Sequence, residues 1–143
     1  MEWIRTANSK ASNNIRKEFQ ETGYIDWRQG KNKYEIGDII FIYIISPIKK
    51  IEFKTKVEKI DIPFDATDKE ESIAGDGKVD EKYVRLRFIK YIDDKRLNLK
   101  NLKENGFRSS LQGPSKIKDE QVSNYINDIF DDFNFNRCTE IDV

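Results

Sequence analysis

The chain has 143 residues, with 26 basic and 26 acidic side chains and a formal charge of zero; 37% is hydrophobic and 12% aromatic. That suffices for one domain around one core, and no run is long enough to cross a bilayer as a helix. There is no histidine, and Cys138 is the only cysteine, which excludes Ser-His and Cys-His nucleophiles, histidine metal sites and an intramolecular disulfide.

Zinc has too few ligands here. Magnesium-dependent nuclease chemistry needs only carboxylates, but no tight carboxylate-lysine cluster stands out, so neither catalysis nor a cofactor or metal is expected. The start, Met1-Glu2-Trp3-Ile4-Arg5, lacks the basic-then-apolar plan of a signal peptide, and a cytoplasmic location without membrane contact is the default. Neutrality hides segregation: residues 1–60 carry a net +4, 61–84 a net −5, 85–118 a net +7 and 119–143 a net −6. Two basic blocks can face an anionic partner, or the acidic blocks neutralise them in the fold.

In chain order, Trp3 to Thr6 reads as an opening strand and Ala7-Asn8-Ser9 as a turn. Ser9 or Ser12 can cap a helix over about 12–22, with Ile15 and Phe19 as its buried stripe and Gly23 as its stop. Ile25-Asp26-Trp27-Arg28-Gln29 reads as a Trp-bearing loop. Gly37-Asp38 turns the chain into Ile39–Ile45, seven apolar residues that imply a strand buried on both faces, closed by Ser46-Pro47. Ile48-Lys49-Lys50 tips a hairpin. In 51–58, Ile51, Phe53, Thr55 and Val57 share an inner face, and Glu52, Lys54, Lys56 and Glu58 a solvated one.

Residues 64–82 read as a long, flexible acidic loop. Tyr83 to Ile92 is a strand, Leu97 to Asn105 a short helix ended by Gly106, and Leu111 to Pro114 a turn-rich segment. A last helix over about 117–130 buries Val122, Ile126, Ile129 and Phe130. The domain is expected to span 1–130, with an acidic, aromatic tail at 131–143.

The opening Trp3 strand, Asn8, Ile25-Asp26-Trp27, Gly37-Asp38 with Phe41 and Tyr43, Ser46-Pro47, Asn105-Gly106 and Gln112-Gly113-Pro114 together resemble the EVE domains of the PUA-like superfamily. The similarity is greatest to the version at the amino end of some prokaryotic restriction-type endonucleases. The resemblance implies an α+β fold, a pseudo-barrel of mostly antiparallel strands with peripheral helices. It also implies a nucleic-acid base reader without catalysis of its own, with modified cytosine in DNA the favoured ligand and a nuclease supplied by a partner or fused domain. The alternatives are an RNA-binding PUA-like module, and a protein-interaction module docking through Phe130, Phe133 and Phe135.

A flipped base needs flat faces to stack on and polar groups for its edge. Trp27 is the first candidate wall, its other reading being a cap on the barrel end; Trp3 is core or the opposite wall. Tyr43 shares a strand side with Phe41 and is core unless its hydroxyl points into a cavity. Asn8 offers a donor and an acceptor to a base edge, or forms a turn. Asp26 can accept from a cytosine amine or hold its own loop. Ser46 and Pro47 lie where a barrel mouth is expected, and Gln112 with Gly113 completes the base-pocket set. Arg28, Lys31, Lys33, Lys49, Lys50, Arg108 and Ser109 are the candidate phosphate contacts.

Overall fold

The run of apolar residues after Asp38 becomes the strand on which the rest is assembled. In the computed structural model, which describes residues 1–63, 82–109 and 111–132, the strands are β1 (Glu2–Ala7), β2 (Tyr24–Arg28), β3 (Ile39–Ile44), β4 (Lys50–Pro63), β5 (Lys82–Tyr91) and β6 (Ser115–Lys116). The helices are α1 (Ser9–Thr22), α2 (Leu99–Glu104) and α3 (Glu120–Phe130), with a 3-10 turn at Lys95–Leu97. Nearly all of the expected acidic loop, Ser110, and the tail from residue 133 lie outside the described residues. Among those described, no helix is long and apolar enough to cross a membrane.

The described strands form one sheet in the order β2-β5-β4-β3-β1-β6. β1 and β3 run parallel, and every other neighbouring pair is antiparallel. Alternation sends Ile40, Ile42 and Ile44 into one cluster with Trp3, Ala7, Trp27, Phe53 and Leu86. Phe41 and Tyr43 point the other way, into a second cluster with Ile4, Ile51 and the apolar stripes of α2 and α3. β3 is therefore buried on both faces, as a continuous apolar strand should be. α1 adds Ile15 and Phe19 to the first cluster, with Phe19 against Phe53 and Phe88 at centroid distances of 5.5 and 5.1 Å. β5, β4 and β3 separate β1 from β2 in the sheet order, yet the Arg5 guanidinium of β1 lies 4.2 Å from the centre of the Trp27 ring of β2. The sheet therefore curls until its far strands meet across the interior.

Four local expectations change. The Trp-bearing segment is an edge strand and not a loop, because β5 offers it a ladder from Tyr24↔Arg87 to Arg28↔Tyr83. The polar residue that disguised it, Asp26, is matched by Arg85 directly across that ladder. The cap of α1 is Asn8, whose Oδ1 accepts from Ala11 N at 2.7 Å, and not Ser9 or Ser12. The last helix starts at Glu120 behind an Asp119 cap, since Ser115–Lys116 is drawn into β6 by pairing with β1.

The fourth change is at Glu52. Register moves from Ile42↔Phe53 to Tyr43↔Ile51, which leaves Glu52 on a bulge, and a bulge re-aims its side chain. Glu52 is 5% exposed, not solvated, and accepts from Ser12 Oγ at 3.1 Å. Burial raises its pKa, opposed by Ser12 and Lys50, with Asp93 raising it again and Arg16 lowering it. A carboxyl whose folded pKa is raised favours folding when protonated, and that advantage is lost as pH climbs from the ordinary carboxylate range through the folded value. Glu52→Gln is therefore expected to change melting temperature little near pH 4 and to raise it near pH 8. A lowered melting temperature at pH 8 would show that Lys50 and Arg16 hold the carboxylate charged.

Candidate nucleic-acid interface

The Gly37-Asp38 turn does more than reverse the chain. Asp38 Oδ2 accepts from the Trp3 indole Nε1 at 3.1 Å and from the Glu35 backbone N at 2.9 Å. Its Oδ1 lies 3.3 Å from the terminal ammonium of Met1. Burial alone would raise the Asp38 pKa, but these donors outweigh it and hold the carboxyl below its usual value. Its stabilising effect is thus present above the ordinary carboxylate pKa and fades as pH falls through the depressed one. Asp38→Ala leaves the buried indole N–H unpaired, and denaturant unfolding should show a loss of about 1–3 kcal/mol at pH 7, narrowing toward pH 3.

Asp38 thereby locks Trp3, which is 4% exposed. Trp3 meets Tyr34 edge-on at 4.6 Å, and the Nζ of Lys116, its cross-strand neighbour on β6, stands 5.3 Å from the indole centre. Trp27 is 7% exposed, and the Arg5 guanidinium covers its ring. The expectation of an open indole wall is therefore corrected: the stacking position is filled by the protein's own cation.

Arg5 sits badly for an ordinary core residue. Its Nη1 is buried and makes no hydrogen bond, and so is the hydroxyl of Tyr34. Among the described residues no carboxylate pairs with Arg5. Burial lowers its pKa, Tyr34 opposes that and the Arg28 charge adds to it; burial raises the pKa of Tyr34, opposed by Arg5. Trp27, Arg5, Tyr34, Trp3 and Lys116 thus form a continuous path from the interior to the β6 edge. Lys31 and Lys33 are exposed on the segment that carries Tyr34. Arg28 is half-buried at the end of β2.

Other candidates fall elsewhere. Asp26 is held by Arg85 through two bonds, Nε to Oδ1 at 2.8 Å and Nη2 to Oδ2 at 2.9 Å. Tyr43 is buried on the helix-covered face, away from Trp27, and burial raises its pKa. Asn8, Ser46, Pro47 and Lys49 are exposed at the end of the strands where Ala7 pairs with Ile44. Lys50, at the same end, is paired with Asp93. Trp27 pairs with Val84, whose neighbours Tyr83 and Arg85 meet β4 at Ile62 and Lys59, well along β4 from Glu52. The proposed residues are thus divided between the two ends of the strands.

Arg108 and Ser109 line a hollow with Lys116, and Gln112 and Gly113 lie on the chain between these two sides. A Cβ at Gly113 would meet nothing within 4 Å, so local packing does not demand glycine there. The residues missed in the sequence are Arg5 and Tyr34, together with the Ser12-Glu52 pair. One signal was available: Trp3, Arg5 and Ala7 share the inward parity of β1, which sets a cation among core positions.

No protein-family model matches the chain, and no curated protein matches it. Solved structures do. The chain is similar to ASCH from Zymomonas mobilis, at 16% identity over 88% of this chain and 94% of that one, with a TM-score of 0.56. It is similar to a protein of Pseudomonas syringae at 17% identity over 89% and 98%, TM-score 0.64, and to one of Leishmania major at 17% over 93% and 96%, TM-score 0.60. At such identities the likeness is one of fold: α+β, a mixed sheet with a few helices, shared with these solved structures.

Proposed function

We propose that this chain is a nucleic-acid-binding module that accepts an extruded base against Trp27, with Arg5 as the group the base displaces. The reading is of an EVE-type, PUA-like base reader without catalysis of its own. DNA is favoured over RNA and modified cytosine is the favoured base, in the setting of a cytoplasmic restriction or defence system whose nuclease is a partner or fused domain. The observation that carries it is the Arg5 guanidinium stacked on Trp27 with its Nη1 buried and without a hydrogen bond. A half-buried cation with a buried, unsatisfied donor and no carboxylate is costly, and unsatisfied groups are found where a ligand completes them.

The energetics of exchange are close to balanced. A cation–π contact contributes about 0.5–2 kcal/mol, and base stacking about 1–3 kcal/mol. What tips the exchange is the hydrogen bond Arg5 then makes to the base edge or a phosphate, about 1.5–3 kcal/mol for a charged donor. Lys31, Lys33 and Arg28 supply sequence-independent phosphate attraction around the same end.

The test is a binding panel of duplexes and single strands, DNA and RNA, with and without modified cytosine, at low salt. Submicromolar binding to a modified DNA is expected, weakened by added salt. Trp27→Leu keeps an apolar side chain but removes the ring face, and is expected to weaken binding about 5- to 150-fold while the melting profile stays cooperative. Preference for unmodified RNA would favour the RNA-binding reading, and no binding across the panel would remove the function and leave the fold.

A further inference from the structure

Beside the N-terminal end of α3 the surface opens into a hollow of about 370 Å³, within the range of small-molecule sites. It lies between the chain after α2 and the β6 segment. Its apolar lining is Phe107, Ile117 and Val122; its cations are Arg108, Lys116 and Lys118. Arg108, Lys116 and Lys118 are exposed, and among the described residues none of the three is paired with a carboxylate. The one acid in the lining, Asp119, is engaged with its own helix, accepting from Gln121 N at 2.9 Å. Ser109 adds a hydroxyl on the same side. An apolar floor under a cationic rim fits a ligand with a flat apolar face and a negative group one short link away. A bare anion would leave the floor unused, and a neutral ring would leave the cations uncompensated.

We infer that this hollow is a second binding site, taking one nucleotide unit with its base on the Phe107–Val122 floor and its phosphate against Arg108, Lys116 and Lys118. The choice of a nucleotide rests on the nucleic-acid reading above, but the site is separate from Trp27. Lys116 joins the two, since its ammonium stands over the indole of Trp3, which in turn touches Tyr34. A strand whose extruded base reached Trp27 would then have a neighbouring nucleotide held here.

The test is an NMR titration of the whole isotope-labelled chain with deoxycytidine 5′-monophosphate, with deoxycytidine, and with inorganic phosphate. The mononucleotide is expected to shift amides of residues 106–109 and 115–122, and to bind at least about tenfold more tightly than either fragment, since base and phosphate contacts then act together. Arg108→Ala with Lys118→Ala is expected to weaken it about tenfold or more, whereas Trp27→Leu should leave it unchanged. Both replaced side chains are exposed, and a charge reversal, Lys118→Glu, offers a second variant. Equal affinity for phosphate alone would reduce the hollow to an anion site and overturn the inference. Shifts confined to the surroundings of Trp27, or none, would also overturn it. Failure of the duplex panel with the mononucleotide still titrating here would remove the Trp27 reading and leave this one standing.

Discussion

Asp26→Ala is expected to destabilise the domain by about 3–5 kcal/mol, the usual cost of stripping one partner from a buried ion pair. Asp26 is 1% exposed and Arg85 is 8% exposed, so the guanidinium left behind cannot recover full hydration. Its two bonds to Asp26 are parallel and bidentate, the strongest geometry such a pair can adopt. The pair also ties edge strand β2 to β5, and β2 carries Trp27. Arg85 stacks on Tyr24 as well, 4.2 Å from its ring centre, which gives the guanidinium one apolar face that survives the substitution.

Denaturant unfolding at pH 7 measures the loss. The double variant Asp26→Leu with Arg85→Met should recover most of it, because apolar side chains of similar volume need no desolvated charge. A loss below about 1 kcal/mol for Asp26→Ala would mean that the carboxylate is available to a ligand, and would restore Asp26 as a base-reading group.

Arg5→Met is expected to act in the opposite sense on stability, and against function. The substitution keeps an unbranched apolar stem over Trp27 and removes a desolvated charge. The lost cation–π contact is worth about 0.5–2 kcal/mol, while the buried Nη1 left without a hydrogen bond on this half-buried side chain costs about 1–3 kcal/mol. A net gain of about 1 kcal/mol in unfolding free energy should follow. Binding to the preferred nucleic acid should meanwhile fall about 10- to 150-fold, the loss of a charge-assisted hydrogen bond of about 1.5–3 kcal/mol. Greater stability with weaker binding is the signature of a residue kept for a ligand. If binding is unchanged or improved, Arg5 is only a plug and the proposed exchange at Trp27 fails. If stability falls instead, Tyr34 or another group compensates the charge in the fold.

The two variants probe different sources of cost. Asp26 and Arg85 are a solved polar problem, with donors and acceptors matched. Arg5 and Tyr34 are an unsolved one, with a buried donor and a buried hydroxyl left over. Sites that complete themselves on binding are expected among the second kind.

The amino-acid sequence by itself determined what local spacing can carry. A continuous apolar run after Asp38 specified a doubly buried β3. The period of two in Phe53, Thr55 and Val57 specified one buried face of β4, from which the bulge at Glu52 turns Ile51 to the helix-covered side, and the 3.6-residue stripe of Val122, Ile126, Ile129 and Phe130 specified α3. The lack of histidine and the single cysteine narrowed the accessible chemistry. These features depend on neighbours a few residues apart, where backbone geometry alone sets which side chains share a face.

Tertiary structure alone decided the rest. Asp26 and Arg85 are 59 residues apart, and Ser12 and Glu52 40 apart. No local pattern announces such pairs, since they depend on strand register and on where a bulge falls. That is why Ile25-Asp26-Trp27 read as a loop until β5 supplied its ladder, and why a glutamate on the nominally solvated face of β4 is buried. It is also why the indole foreseen as an open wall is covered: only the curl of the sheet brings β1 to β2, and with it a cation from the far side of the sheet onto an aromatic ring of edge strand β2.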